Sequence, residues 1–157
     1  MKIQVRRASK ILLPTMLTLL LFVGHAEERV QISLAYYPST VIGVSASIPM
    51  FTTQDVMHSA RAGITYAFAG LPAMNATYVL SGPDDGILRT YVGAGVGIAF
   101  PGAPAVSPSF NGHALAGANA VISTGFSAFA EVAVAGNSFG TRMSFGAGIS
   151  YAFGSSN

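Results

Sequence analysis

Large apolar residues alternate with small residues along the final part of the chain, in the stretch RMSFGAGISYAF that spans residues 142–153. Most odd positions from Met143 to Phe153 carry a bulky apolar side chain, and the even positions carry Gly, Ala or Ser after an initial Arg142. A period of two is typical of a β-strand whose two faces meet different surroundings, and it does not suit a helix, which repeats every 3.6 residues. The pattern therefore predicts a strand with one bulky face and one small face.

The same alternation recurs in eight segments, which cover about 30–37, 41–50, 59–69, 73–80, 87–100, 111–122, 126–135 and 141–153. Related sequences recur inside them, since 62–68 reads AGITYAF, 94–100 reads AGVGIAF and 147–153 reads AGISYAF. Gly, Pro, Asn, Asp and Ser dominate the stretches between the segments, as turns require. We predict eight antiparallel strands. The alanine-rich segment 111–122 would also suit a short helix.

The small face is the one that carries charge, because Arg61, Arg89, Glu131 and Arg142 all lie on it. A strand face in water normally mixes both signs of charge, whereas this face is mostly Gly, Ala and Ser. It suits the inside of a narrow tube, with the bulky face turned outward to lipid. Closure into a barrel also pairs the backbone N–H and C=O groups at the sheet edges, to which lipid cannot form hydrogen bonds. We predict an all-β, antiparallel up-and-down transmembrane β-barrel of about eight strands. The alternative is a soluble secreted β-sandwich with its apolar face inward.

The first 26 residues have the features of an export signal. Lys2, Arg6, Arg7 and Lys10 precede an apolar run over 11–23, and the small residues Gly24 and Ala26 follow it at the two positions that a signal peptidase reads. This order is typical of a cleaved signal peptide, and the run is short for a spanning helix. We predict a signal peptide at 1–26 and a barrel domain at 27–157. An uncleaved anchor is the alternative.

Removing the signal changes the charge balance of the chain. Residues 27–157 contain four arginines, no lysine and six carboxylates, which gives a net charge of −2. A nucleic-acid partner would need a basic patch, and none remains. The chain has no cysteine, so disulfides are excluded, and only 9% of its residues are charged, against roughly a quarter in soluble domains.

The last strand ends in a pattern of Gly148, Tyr151 and Phe153. With this ending and its eight segments, the chain resembles the small eight-stranded outer-membrane β-barrels of the OmpA-like and OmpX-like group. The resemblance implies export to the outer membrane, contact with outer-membrane lipid, a monomer, and recognition of those three residues by the barrel-assembly machinery. Two departures are Gly146, where a polar residue is usual, and the GSSN that follows Phe153. All connections are short, the longest being PGAPAVSPS, which argues against a large receptor surface.

Polar side chains on the predicted inner face form the candidate site, namely Arg61, Arg89, His113, Asn119, Glu131 and Arg142. A lone charge in a low-dielectric bore is costly, so pairing is expected, and we predict that Glu131 reaches Arg142 on the neighbouring strand. The set predicts a polar plug in a barrel with a structural or envelope-integrity role. Because three arginines face one glutamate, a narrow anion-preferring passage is the alternative.

Catalytic and cofactor chemistry find little support in the sequence. The two histidines after the signal are His58 and His113, and Ser59 must point away from its neighbour His58 in a strand. We therefore predict no enzyme, with a lipid-modifying barrel enzyme as the alternative. Asp84 and Asp85 suit a solvated turn, and GAGVG lies within a strand without the helix that a phosphate loop needs. We predict no metal and no cofactor.

Overall fold

The computed structural model of the protein describes residues 30–38, 41–67, 72–83, 86–100, 107–137 and 140–154. The predicted signal peptide and the Asp84-Asp85 turn lie outside these residues. The strands are β1 (Val30–Tyr37), β2 (Val41–Thr53), β3 (Val56–Ala67), β4 (Pro72–Ser81), β5 (Leu88–Ala99), β6 (Ser109–Ser123), β7 (Phe126–Asn137) and β8 (Gly140–Phe153).

Each strand pairs antiparallel with the next, and β8 pairs with β1, so the sheet closes into an eight-stranded barrel. The predicted fold class is confirmed. We call the end of the barrel that holds Val30 and Phe153 the terminal end, and the opposite end the distal end. In the part of the chain that the structure describes, no helix is long and apolar enough to cross a membrane.

The outer surface of the barrel is apolar, and its interior is polar. Val96 is 66% exposed and Phe145 is 61% exposed, whereas Ser150 and Ser59 are buried. The buried polar residues of the described chain are Ser33, Ser47, Ser59, Thr77, Ser81, Ser127, Glu131 and Ser150. A protein that folds in water buries its large apolar side chains, so this arrangement is inverted and matches the orientation that the two faces predict.

Aromatic side chains form two bands on the outside, near the two ends of the strands. Tyr36, Tyr66, Phe100 and Phe110 lie toward the distal end, and Phe51, Tyr78, Tyr151 and Phe153 lie toward the terminal end. Membrane barrels carry such girdles where the hydrocarbon meets the headgroups, because an aromatic ring suits that boundary.

The segment that also suited a helix is strand β6, but its faces are unusual. Most outward positions there are small, as at Ala114 and Ala116, while Leu115 points inward beside Gly93. The extended pairing partners on both sides make this segment a strand despite its alanine content, which shows that tertiary pairing overrides helix propensity.

The connection predicted between the second and third segments, residues 51–58, is wrong. Strands β2 and β3 continue through most of it, and only Gln54 and Asp55 form the turn, both with positive φ. The register shifts by one residue between Pro49 and Phe51. This bulge lies at Pro49, which cannot donate a ladder hydrogen bond, and it hides the alternation that would have revealed the strand.

Candidate functional site

The centre of the bore is built around the Glu131 carboxylate. Its Oε1 atom accepts a hydrogen bond from the Tyr37 hydroxyl at 2.5 Å, and its Oε2 atom accepts one from the Tyr91 hydroxyl at 2.9 Å. The Arg61 Nη1 atom forms an ion pair with Oε2 at 3.1 Å. The Glu131 side chain is only 4% exposed, so three donors compensate a buried charge that would otherwise be costly.

These four residues, which we call the Glu131 cluster, come from four alternate strands. Tyr37 lies on β1, Arg61 on β3, Tyr91 on β5 and Glu131 on β7. Arg61 also donates to Ser47 Oγ at 3.2 Å, and its guanidinium lies 5.0 Å from the centre of the Tyr91 ring. Long side chains from every second strand therefore meet across the bore, which suits the limited interior of an eight-stranded barrel.

Two glycines make room for the tyrosine rings. Gly117 on β6 and Gly146 on β8 are the direct cross-strand partners of Glu131. A Cβ atom at Gly117 would lie 2.5 Å from the Tyr91 ring, and one at Gly146 would overlap the Tyr37 ring. Glycines on the small face therefore leave room for the tyrosine rings whose hydroxyls donate hydrogen bonds to the Glu131 carboxylate.

The predicted contact between Glu131 and Arg142 is wrong. Glu131 lies opposite Gly146, while Arg142 lies opposite Ala135, four residues farther along the β7–β8 ladder. At about 3.4 Å per residue, that offset is roughly 14 Å. The partner of Glu131 is Arg61, which is distant in sequence and becomes a neighbour only when the barrel closes.

A cavity of about 340 Å³ lies on the distal side of the Glu131 cluster. Its polar lining includes Asn75, Asn111, His113 and Arg142, and its apolar lining includes Leu115, Phe129, Ala133 and Ala135. His113 Nε2 lies 2.8 Å from Thr77 Oγ1, which fixes the imidazole against the wall. The volume is at the lower end of the range for small-molecule sites.

The bore on the terminal side of the cluster is lined by small hydroxyl side chains. Gln31 Nε2 donates to Ser150 Oγ at 2.7 Å, and Ser150 Oγ lies 3.0 Å from Ser127 Oγ. Arg89 and Asn119, which face one another across β5 and β6, lie near this end. The Asn119 Oδ1 atom is buried and has no hydrogen-bond partner within the described residues.

The six predicted site residues thus occupy three levels of the bore. Arg61 and Glu131 meet at the centre, His113 and Arg142 line the distal cavity, and Arg89 and Asn119 lie toward the terminal end. Sequence reasoning missed Tyr37 and Tyr91 as members of the central cluster. A signal was present, because both tyrosines interrupt the small face of their strands, as the predicted charges do.

The predicted assembly residues lie in β8, which closes the barrel against β1. Tyr151 and Phe153 point outward, and their rings pack edge to face with centres 4.7 Å apart. Gly148 points inward, where a Cβ atom would overlap the Leu34 carbonyl oxygen and lie 2.7 Å from the Phe129 ring. Packing alone therefore requires glycine at position 148.

The two described histidines have hydrogen-bond partners that differ from those of a Ser-His-acid triad. His58 Nδ1 lies 2.5 Å from the Tyr78 hydroxyl on the outer surface, and its ring stacks on Phe51 at 4.3 Å. His113 contacts Thr77, as above. Within the described ranges, no group of three or more His, Cys, Asp or Glu side chains is placed to hold a metal ion.

Comparison with known proteins relates the chain to small membrane barrels through its fold. No family model matches the sequence, and no curated protein matches it. The N-terminal β-barrel domain of Pseudomonas aeruginosa OprF is similar, with a TM-score of 0.59 and 18% identity over 80% of this chain and 96% of that one. The Yersinia pestis outer membrane protein Ail, determined in a phospholipid bilayer nanodisc, has a TM-score of 0.56 and 11% identity over 80% of this chain and 99% of that one.

A de novo designed transmembrane β-barrel is also similar, with a TM-score of 0.52 and 18% identity over 80% of this chain and 93% of that one. The predicted resemblance to small eight-stranded outer-membrane β-barrels is confirmed at the level of the fold.

Proposed function

We propose that this protein is an outer-membrane β-barrel that supports the integrity of the cell envelope and does not conduct solutes. The main observation in support of this function is the Glu131 cluster, in which side chains from four alternate strands meet across the bore. An eight-stranded barrel has room for side chains or one small ligand, so such a layer is enough to interrupt a channel.

Several features support a place in the outer membrane. The outer surface is apolar between two aromatic bands, as a spanning barrel requires. The sequence begins with a predicted signal peptide over 1–26, which would deliver the chain through the inner membrane. We infer that the barrel-assembly machinery inserts it, using Gly148, Tyr151 and Phe153, and that the barrel acts as a monomer in lipid.

Cell fractionation tests the location, and planar-bilayer recording tests the closed bore. The protein should fractionate with the outer membrane, resist carbonate extraction and migrate differently on a denaturing gel after heating. The reconstituted barrel should pass no steady current, whereas the variant Tyr37→Ala/Tyr91→Ala should conduct, because it removes two of the four side chains across the bore.

A steady current through the unaltered barrel would instead support a narrow passage. Three arginines and one glutamate lie along the described bore, so such a current should favour chloride over potassium. A strain that lacks the protein tests the envelope role itself. It should leak a periplasmic enzyme and become sensitive to detergent, and an unchanged strain would reject that role.

A further inference from the structure

We propose that the distal cavity binds a small carboxylate with an apolar body, at a site formed by Arg142, His113 and Leu115. This inference goes beyond a closed structural barrel, because it assigns a ligand to the space that the Glu131 cluster leaves on its distal side. The cavity of about 340 Å³ is large enough for a molecule of the size of an aromatic or short-chain acid.

The charge of the cavity favours an anion, although Arg142, which supplies it, is exposed to solvent. Arg61 and Glu131 neutralise one another at its floor. Arg142 also lines the cavity, and no hydrogen bond or ion pair joins its guanidinium to another described residue. One unmatched positive charge above a neutral floor suits a monoanion. A phosphate dianion would leave one negative charge unmatched, close to the buried Glu131 carboxylate.

The register of three strands places two polar side chains on either side of a small one. Ala135 on β7 is the direct partner of both Arg142 on β8 and His113 on β6. Neighbouring strands lie about 4.8 Å apart, so the backbones of Arg142 and His113 are roughly 10 Å apart with only a methyl group between them. A carboxylate placed over Ala135 would therefore have Arg142 on one side and His113 on the other.

The hydrogen bond of His113 leaves the second ring nitrogen available. Nε2 is occupied by Thr77 Oγ1 at 2.8 Å, and no hydrogen bond links Nδ1 to another described residue. When the Thr77 hydroxyl donates to Nε2, the neutral imidazole carries its proton on Nδ1 and donates it to a ligand oxygen. Asn111 lies on the same inner face, two residues toward the distal end, and offers a further donor.

The rest of the lining suits an apolar body. Leu115 is the exception on the inner face of β6, where Gly117 and Asn119 follow it, and its side chain contacts the space over Gly93. Together with Ala133, Ala135 and Phe129, Leu115 gives the cavity an apolar wall next to the polar side chains of Arg142 and His113. A ligand with a carboxylate at Arg142 and a ring or short chain against Leu115 matches both surfaces.

Equilibrium dialysis of radiolabelled benzoate tests this site. The barrel is reconstituted in phosphatidylcholine nanodiscs, and uptake by empty nanodiscs is subtracted. We expect saturable binding that weakens about tenfold or more in Arg142→Gln, because a charge-assisted hydrogen bond is lost. The variant Arg142→Lys should retain most of the affinity. Arg89→Gln removes an arginine outside the cavity and should leave binding unchanged.

The neutral analogue benzyl alcohol separates recognition of the carboxylate from partition into the bore. It should bind at least about tenfold more weakly than benzoate. Equal binding of the two probes, unchanged benzoate binding in Arg142→Gln, or no saturable binding at about 10 mM would overturn the inference.

Heat-dependent gel migration identifies folded variants. If Arg142→Gln does not fold, the probe comparison on the unaltered barrel decides. Planar-bilayer current recording tests whether the bore is closed, and it does so independently of the binding measurement.

Discussion

At the scale of single residues, the molecule is organised by one buried acceptor. Glu131 accepts hydrogen bonds from two tyrosine hydroxyls and forms an ion pair with one guanidinium, and each donor comes from a different strand. The carboxylate therefore links strands that are not neighbours in the sheet, so it holds the cross-section of the barrel in addition to blocking it.

Replacing Glu131 with alanine should strongly destabilise the barrel. The change leaves the Arg61 charge in the bore without its counter-ion, and breaking a buried pair in this way costs about 3–5 kcal/mol. Urea unfolding in lipid vesicles, followed by semi-native gel migration, measures the loss. Arg142→Ala is the matched control, because Arg142 has no partner in the described chain and its removal should change the free energy of unfolding by less than about 0.5 kcal/mol. Equal losses in the two variants would contradict the role given to Glu131.

The fit between Gly146 and the Tyr37 ring gives a second prediction. In Gly146→Ala, the new methyl group overlaps the ring, and the ring must move away from Glu131. We expect a loss of about 1–3 kcal/mol, typical of overpacking. The loss should largely disappear when Tyr37 is already alanine. Gly112→Ala, where the added methyl meets open space, should be neutral. The same loss in both Tyr37 backgrounds would show that the ring is not the cause.

Sequence reasoning found the charged members of this cluster but paired them wrongly. It located Arg61 and Glu131 on the inner face, since alternation alone fixes the face of a strand residue. It could not find their contact, because Arg61 and Glu131 are 70 residues apart. Which residues meet across a closed barrel depends on the stagger of the strands, and alternation within one strand does not contain that information.

At the scale of elements, the identity of every strand was readable from the sequence, and the strand ends were readable to within two residues except at the β2–β3 connection. The eight predicted segments correspond to the eight strands, including the alanine-rich β6. The largest error was the connection over 51–58, where the structure has a two-residue turn. The bulge at Pro49 shifts the alternation by one residue, so the bulky side chains of β2 no longer follow a single period beyond it.

The turn between β2 and β3 gives a third prediction. Gln54 and Asp55 both have positive φ, with values of 47° and 66°. Two-residue hairpins with this backbone favour glycine at the second position. Asp55→Gly should therefore raise the free energy of unfolding by about 0.5–1 kcal/mol in the same urea assay. The reverse type of change, Gly125→Asp at a φ of 79°, should lower the free energy of unfolding. A loss of stability in Asp55→Gly would show that the Asp55 side chain makes a compensating contact.

At the scale of the whole molecule, the distribution of side-chain size and polarity distinguishes this barrel from a soluble one. Bulky apolar residues cover the outside, and Ser, Gly and a few charged groups line the inside. This distribution was predictable from the sequence, because a face of Gly, Ala and Ser with only four charges carries too little charge to suit the water-exposed surface of a sandwich. The cavity was not predictable, since it depends on how far the long side chains of the Glu131 cluster extend into the bore.

Spin labelling in a bilayer tests the outward orientation of the bulky face most directly. The chain has no cysteine, so single cysteines at Val96, Phe145 and Ser144 give unambiguous sites. Labels at Val96 and Phe145 should collide more often with oxygen, which dissolves in lipid, than with a water-soluble nickel chelate. The label at Ser144, which lines the cavity, should show the opposite preference. Nickel accessibility at Val96 and Phe145, combined with oxygen accessibility at Ser144, would contradict a barrel whose bulky side chains face hydrocarbon.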